Sequence, residues 1–170
     1  MGANLAIQHD IAPFWAVIHD IREEVKHALA PYAEELREAG TMAASELLEN
    51  AVKYSGGDRG AAIGFKLTAD GRRLRIETRN AVHSKDEMNA LKAHIDGIDA
   101  GDPEKLYVGR LAYLMAHPGA RNTGLGLYRI AYEGQFGLRC LMGADNRVAV
   151  CATRRITKNH TEDVNGSFRA

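Results

Sequence analysis

Ser45-Glu46-Leu47-Leu48-Glu49-Asn50-Ala51-Val52-Lys53-Tyr54-Ser55 is the stretch on which the fold turns. Leu47, Leu48, Ala51 and Val52 recur at helical spacing, so the segment reads as a helix with one buried face. Glu46 and Asn50, four residues apart, then leave a common face one turn from each other. A carboxylate and a carboxamide so placed can share a metal-bound phosphate site. Further along stands Asn122-Thr123-Gly124-Leu125-Gly126-Leu127, a glycine-spaced turn that runs into an amphipathic helix. Such a turn presents backbone N–H groups to phosphate. Either motif alone is common; the ordered pair is specific.

Working outward, Phe14, Val17, Ile18, Ile21, Val25 and Leu29 mark a helix over residues 11–29, which Pro31 breaks or restarts. The motif helix runs over 32–54, with a possible kink at Gly40, and Ser55-Gly56-Gly57 ends it. Strands at 61–67 and 74–79 flank an Ala69-Asp70-Gly71 turn. Two helices follow at 85–98 and 103–116, the second opened by Asp102-Pro103. A helix over 125–132 comes next, then a hairpin of 138–141 and 147–154 turning at Asp145-Asn146. Residues 1–156 thus read as one domain, and the polar, aperiodic residues 157–170 as a mobile tail.

The chain has 170 residues, 45% of them hydrophobic and 26% charged, which suits a globular domain with one core. Lys+Arg and Asp+Glu number 22 each, so no global field favours nucleic acid or a membrane surface, and partners must be recognised locally. No apolar run is long enough to span a bilayer and no signal sequence opens the chain, so a cytoplasmic location is expected. Cys140 and Cys151 fit no metal spacing; the hairpin is expected to set them opposite one another as buried free thiols.

The two motifs resemble the N box and the second glycine box of the GHKL (Bergerat-fold) ATPases, which include histidine-kinase ATP-binding domains and gyrase. The Glu46-x-x-x-Asn50-Ala51 form looks most like the small anti-sigma-factor serine kinases. The long helical insert before the glycine box looks more like the SiaB-type regulatory protein kinases. The resemblance spans residues 43–154, with firm matches at the two motifs. It implies an α+β, two-layer sandwich in which helices cover one face of a mixed sheet, and the order of elements agrees.

The resemblance also implies ATP and Mg²⁺ as cofactors. Asn50 stands at the family's Mg²⁺ ligand, a hard oxygen donor suited to that ion. Glu46 stands at its general base. Gly124, Leu125, Gly126 and Leu127 stand in the phosphate-binding turn, where glycine lets the backbone approach closely. Lys53 is a candidate phosphate contact, although Glu49 and Lys53 also make an ordinary surface pair. Thr123 is a cap or a phosphate contact, and Arg121 a lid contact.

One departure stands out. The family carries Asp-x-Gly-x-Gly after the second strand, with the carboxylate accepting from the adenine amino group. Here Asn80 occupies that place, in Thr78-Arg79-Asn80-Ala81-Val82-His83. Its side-chain oxygen can accept the same hydrogen bond without charge. His19-Asp20-Ile21-Arg22 is similar to a histidine-kinase phospho-acceptor box, but it lies too near Asn50 for the dimerising hairpin of those enzymes.

The leading expectation is therefore a Ser/Thr protein kinase acting on a small regulatory protein in a bacterial partner-switching pathway, with residues 82–121 as lid and partner surface. The alternatives are a non-catalytic binding module with a degenerate nucleotide site, or the catalytic half of a split histidine kinase. A homodimer through Phe14 and Trp15 is compatible with each.

Overall fold

Strand alternation sets the layers of the protein. A computed structural model describes residues 4–55, 62–119 and 124–157. In chain order it contains β1 (Leu5–Ile11), α1 (Trp15–Ala28), α2 (Glu34–Tyr54), β2 (Ile63–Ala69), β3 (Arg73–Ala81), α3 (Lys85–Ala100), α4 (Pro103–Ala116), α5 (Gly126–Tyr132), β4 (Gly137–Met142) and β5 (Arg147–Arg155). The sheet order is β1-β2-β3-β5-β4. Ile63, Phe65 and Leu67 of β2, Leu74 and Ile76 of β3, and Val148, Val150 and Ala152 of β5 alternate onto one face and are buried there. Their partners in the core are Leu36, Leu47 and Leu48 of α2, Val25 of α1, Ile95 of α3 and Ile130 of α5. The α+β sandwich is the architecture the sequence implies.

Three details differ from the sequence reading. Every neighbouring strand pair is antiparallel, so the sheet is not mixed. β4 does return in the direction of β3 after the three helices, but β5 inserts between them and no parallel ladder forms. Residues 5–11 form an edge strand, and the first helix begins only at Trp15; Pro13 holds the preceding residue extended. Finally, α2 runs unbroken through Gly40. A Cβ at Gly40 would stand 2.6 Å from Leu29 Cδ1 and 3.0 Å from Leu74 Cδ2, so the glycine serves close packing.

The final hairpin turns where expected, with Asp145 and Asn146 both at φ 54°. Its register corrects the cysteine expectation. Cys140 pairs with Val150 and Cys151 with Arg139, so the thiols point to opposite faces of the sheet. Both are buried and free. Arg154, on the helical face, donates to Glu35 Oε1 at 2.5 Å and to the Gly134 carbonyl at 3.0 Å. That pairing ties the start of α2 to the end of β5 and compensates an otherwise buried charge.

Candidate functional site

A cleft of about 310 Å³ opens between α2, α3 and the strand ends. Asn50, Asn80, Gly124, Gly126 and Leu127 all line it, so residues of both motifs and of β3 are brought together there. Its walls are apolar, from Leu47, Ala51, Val82, Leu91 and Val150. The volume lies near the lower end for small-molecule sites, and an apolar wall with a few convergent polar groups is their usual chemistry.

Glu46 occupies the rim and faces an adjoining groove shared with α1, lined by Arg22, Lys26, Arg37 and Arg129. Arg129 Nη1 donates to Glu46 Oε1 at 2.7 Å. Arg129 Nε donates in turn to Glu133 at 3.2 Å, and Tyr107 Oη donates to Glu133 at 2.5 Å. A hydrogen-bonded line thus runs from the motif carboxylate on α2 through α5 to α4. Burial raises the Glu46 pKa above its ordinary value, Arg129 opposes this, and Glu49 and Glu133 add to the rise. The net displacement is upward, which moves the carboxylate toward the working range of a general base.

The two glycines of the second motif serve different ends. Gly124 has φ +55°, a conformation that costs other residues strain. Gly126 needs no special conformation; it needs emptiness. A Cβ there would stand 2.2 Å from Glu46 Oε2 and 3.1 Å from Glu46 Cδ. Glycine at 126 is what admits the Glu46 carboxylate beneath the start of α5. The two motifs are therefore sterically complementary across a long stretch of sequence.

At the other end, Asn80 is buried and its amide nitrogen donates to the Ala81 carbonyl at 3.0 Å. That bond fixes the orientation of the amide and leaves its oxygen as the acceptor. Thr78 lies beside it, and α3 contributes Glu87 and His94. Glu87 is held by its place in the helix start, its carboxylate accepting from His83 N while its N–H donates to Ser84 Oγ. His94 packs edge-on to Tyr128, and burial together with Arg110 lowers its pKa.

Several expected residues stand elsewhere. Lys53 is not brought into the cleft lining; its ammonium lies over the Tyr54 ring at 5.4 Å. Leu125, half-buried, sits just before α5. Arg121 and Thr123 fall outside the described residues. The cation that the structure does bring to the glycine turn is Arg110 of α4, whose Nη2 would lie 3.0 Å from a Cβ on Gly124. The sequence reading missed Arg110, Arg129, Thr78 and His94. Only the position of Arg110 within residues 82–121, expected as a lid, hinted at any of them. α4 itself buries no residue, leaving Val108, Tyr113 and Met115 exposed. At the start of α1, Phe14 and Trp15 are likewise exposed, at 65% and 60%.

No group of three or more metal-ligating side chains exists among the described residues. Asn50 fits Mg²⁺ nonetheless, because that ion usually takes few protein ligands and fills its shell from phosphates and water. No described helix is long and apolar enough to cross a membrane.

No family model and no curated protein matches the chain. Among solved structures, a chain in the crystal structure of the SiaB-SiaC complex from Pseudomonas aeruginosa is similar over 89% of each chain, with 19% identity and a TM-score of 0.63. At that identity the likeness shows the fold. It agrees with the SiaB-type resemblance of the sequence at the level of the fold.

Proposed function

We propose that the protein is an ATP-binding regulatory kinase of the GHKL type, which phosphorylates a Ser or Thr hydroxyl of a small partner protein in a cytoplasmic partner-switching pathway. The observation that carries this reading is the seating of the Glu46 carboxylate in the space left by Gly126, beside the cleft that Asn50 lines. A carboxylate beside a triphosphate is repulsive unless it has a proton to receive, and a general base supplies the reason for it.

In this reading Asn50 would hold Mg²⁺, and the ion would supply charge neutralisation for the triphosphate. Backbone N–H groups of Gly124, Leu125, Gly126 and Leu127 hold the phosphates, and Asn80 accepts from the adenine amino group. Glu46 takes the proton of the partner's hydroxyl as that oxygen bonds to the γ-phosphorus, and ADP departs with the electrons of the broken P–O bond. Arg129 aims the carboxylate and opposes the rise in its pKa. The partner surface includes the exposed apolar residues of α4, and the origin of the similar chain in a two-protein complex supports a protein partner. Phe14 and Trp15 offer a corner for a homodimer.

A second reading, a non-catalytic binding module, is favoured by Asn80 standing where the family carries an aspartate. Calorimetric titration with ATP separates the two. The kinase reading expects affinity that rises with Mg²⁺, and Asn50→Ala is expected to lose the Mg²⁺ effect at an unchanged melting temperature. An unaltered Mg²⁺ effect in that variant removes Asn50 from the site. Absence of ATP binding in the parent protein leaves the module.

A further inference from the structure

The sheet has a second face that no described helix covers. Strand alternation and register bring Lys66 of β2, Arg73, Arg75 and Arg79 of β3, Arg139 of β4 and Arg155 of β5 onto it, all exposed. Arg147 extends the strip at the start of β5. Against these stand few carboxylates. Asp10 lies on the edge strand, and Glu77 is buried at the centre. Asp70 is engaged by the backbone N–H groups of Arg72 and Arg73, and Asp99 by the Leu138 N–H. The chain is neutral as a whole, so this face holds a local excess of positive charge that the composition conceals.

Glu77 organises the excess more than it cancels it. Its Oε2 accepts from Arg75 Nη2 at 2.7 Å and its Oε1 from Arg79 Nε at 2.5 Å. Cys151 Sγ donates to the same carboxylate at 3.2 Å. The carboxylate side chain is 6% exposed while the two arginine side chains remain 50% and 67% exposed. Each guanidinium carries five N–H donors, so most of the fork of each arginine is left to meet something else. A central buried anion thus holds two outward-facing forks at fixed positions on a rigid sheet, and fixed forks suit bidentate carboxylate recognition.

We propose that the open face of the sheet is a docking surface for an acidic segment of a partner protein. Charge complementarity names the occupant. A second copy of the same face is repelled by the same cations. No Phe, Tyr or Trp lies on the described strands of this face, so it lacks the stacking platform used for single-stranded nucleic acid. Along β3, Arg73 and Arg75 stand about 6.8 Å apart and Arg79 about 13.6 Å further on, whole multiples of the spacing at which an extended acidic segment presents side chains to one side. This inference is independent of the nucleotide cleft, which opens on the other face.

The test uses the full chain and a fluorescent poly-L-glutamate peptide followed by anisotropy, with duplex RNA and phosphatidylserine vesicles as competitors. The peptide is expected to bind, and to bind more weakly as salt rises. The combined variant Arg73→Glu, Arg139→Glu and Arg155→Glu is expected to lose about tenfold or more in affinity. Arg22→Glu, Lys26→Glu and Arg37→Glu, on the helical layer, are expected to leave affinity unchanged. Should charge reversal disturb folding, the glutamine versions of the same three positions are expected to give a smaller loss at an unaltered melting temperature. Absence of peptide binding, equal affinity in the open-face variants, or tighter binding of RNA or vesicles through the same residues would overturn the proposal.

Discussion

The two ends of the cleft are built in different ways. At the end where we propose that phosphates bind, the phosphate end, Glu46 and Asn50 stand one turn apart on a single helix, and Gly124 and Gly126 lie at the start of another. At the end proposed for the nucleotide base, the base end, Thr78 and Asn80 come from β3, Val150 from β5, and Glu87 and His94 from α3. The first end is assembled from local spacing and the second from tertiary placement. The first carries the residues that resemble the GHKL motifs; at the second, Asn80 stands where those motifs have an aspartate, and no glycines follow. In the proposed reading, recognition of the base would rest on one neutral amide.

The largest effect is expected at Glu46. Glu46→Gln is isosteric and can still accept from Arg129, so nucleotide binding should persist while phosphoryl transfer falls about 10²–10⁴-fold. The sign of the pH dependence follows from the base role. Burial first, with Arg129 opposing, holds the Glu46 pKa above the ordinary 4.5. The active form is deprotonated, so the rate should climb with pH through that raised value, and the limb should vanish in the variant. Single-turnover transfer to a co-purified partner measures both. Equal rates in parent and variant leave only the binding module.

Which parts could be read in the sequence follows the same division. Glu46, Asn50, Gly124 and Gly126 were legible because helix period and glycine spacing fix them locally. Arg129 was not, because nothing in Leu127-Tyr128-Arg129 says that it will reach across to α2. β1 escaped because the alternation of Leu5, Ile7 and Ile11 is interrupted by His9, and Ile11 also suits the helical stripe. The cysteines were placed on the right hairpin and in the wrong register. A one-residue offset in pairing moves a side chain to the opposite face, and composition carries no information on that offset.

A smaller, more diagnostic effect is expected from the two glycines of the phosphate end. Gly126→Ala would drive its methyl into Glu46, costing about 1–3 kcal/mol of stability if the neighbours cannot give way. A carboxylate displaced by about 1 Å should lower transfer by roughly 10²-fold. Gly124→Ala is strained through φ instead, and Gly124→Asn should recover much of that loss because asparagine visits the left-handed region. Asparagine at 126 should give no such recovery. If Gly126 acts through Glu46, adding Gly126→Ala to Glu46→Gln should produce little further loss in rate, whereas Gly124→Ala should add its own. Additive losses from Gly126→Ala would separate the two motifs.

The base end should show the smallest effect, and it tests whether neutral Asn80 still reads the nucleotide. With its amide nitrogen committed to the Ala81 carbonyl, the side-chain oxygen is the group left to accept from the adenine amino group. Guanine presents an acceptor at that position, so two acceptors would face each other. One mismatched buried hydrogen bond costs roughly 1–3 kcal/mol, a preference for ATP over GTP of about five- to over a hundredfold. Asn80→Ala removes the acceptor and should bring the two nucleotides toward parity, chiefly by weakening ATP. Asn80→Asp adds charge to the acceptor but must bury it, since Asn80 is only 4% exposed. Its effect on ATP should therefore be modest, with any gain confined to pH values where the carboxylate is ionised. Competition binding of ATP and GTP to the three proteins decides the matter. Parity already in the parent would show that the base end has lost its selectivity, and that affinity resides at the phosphate end alone.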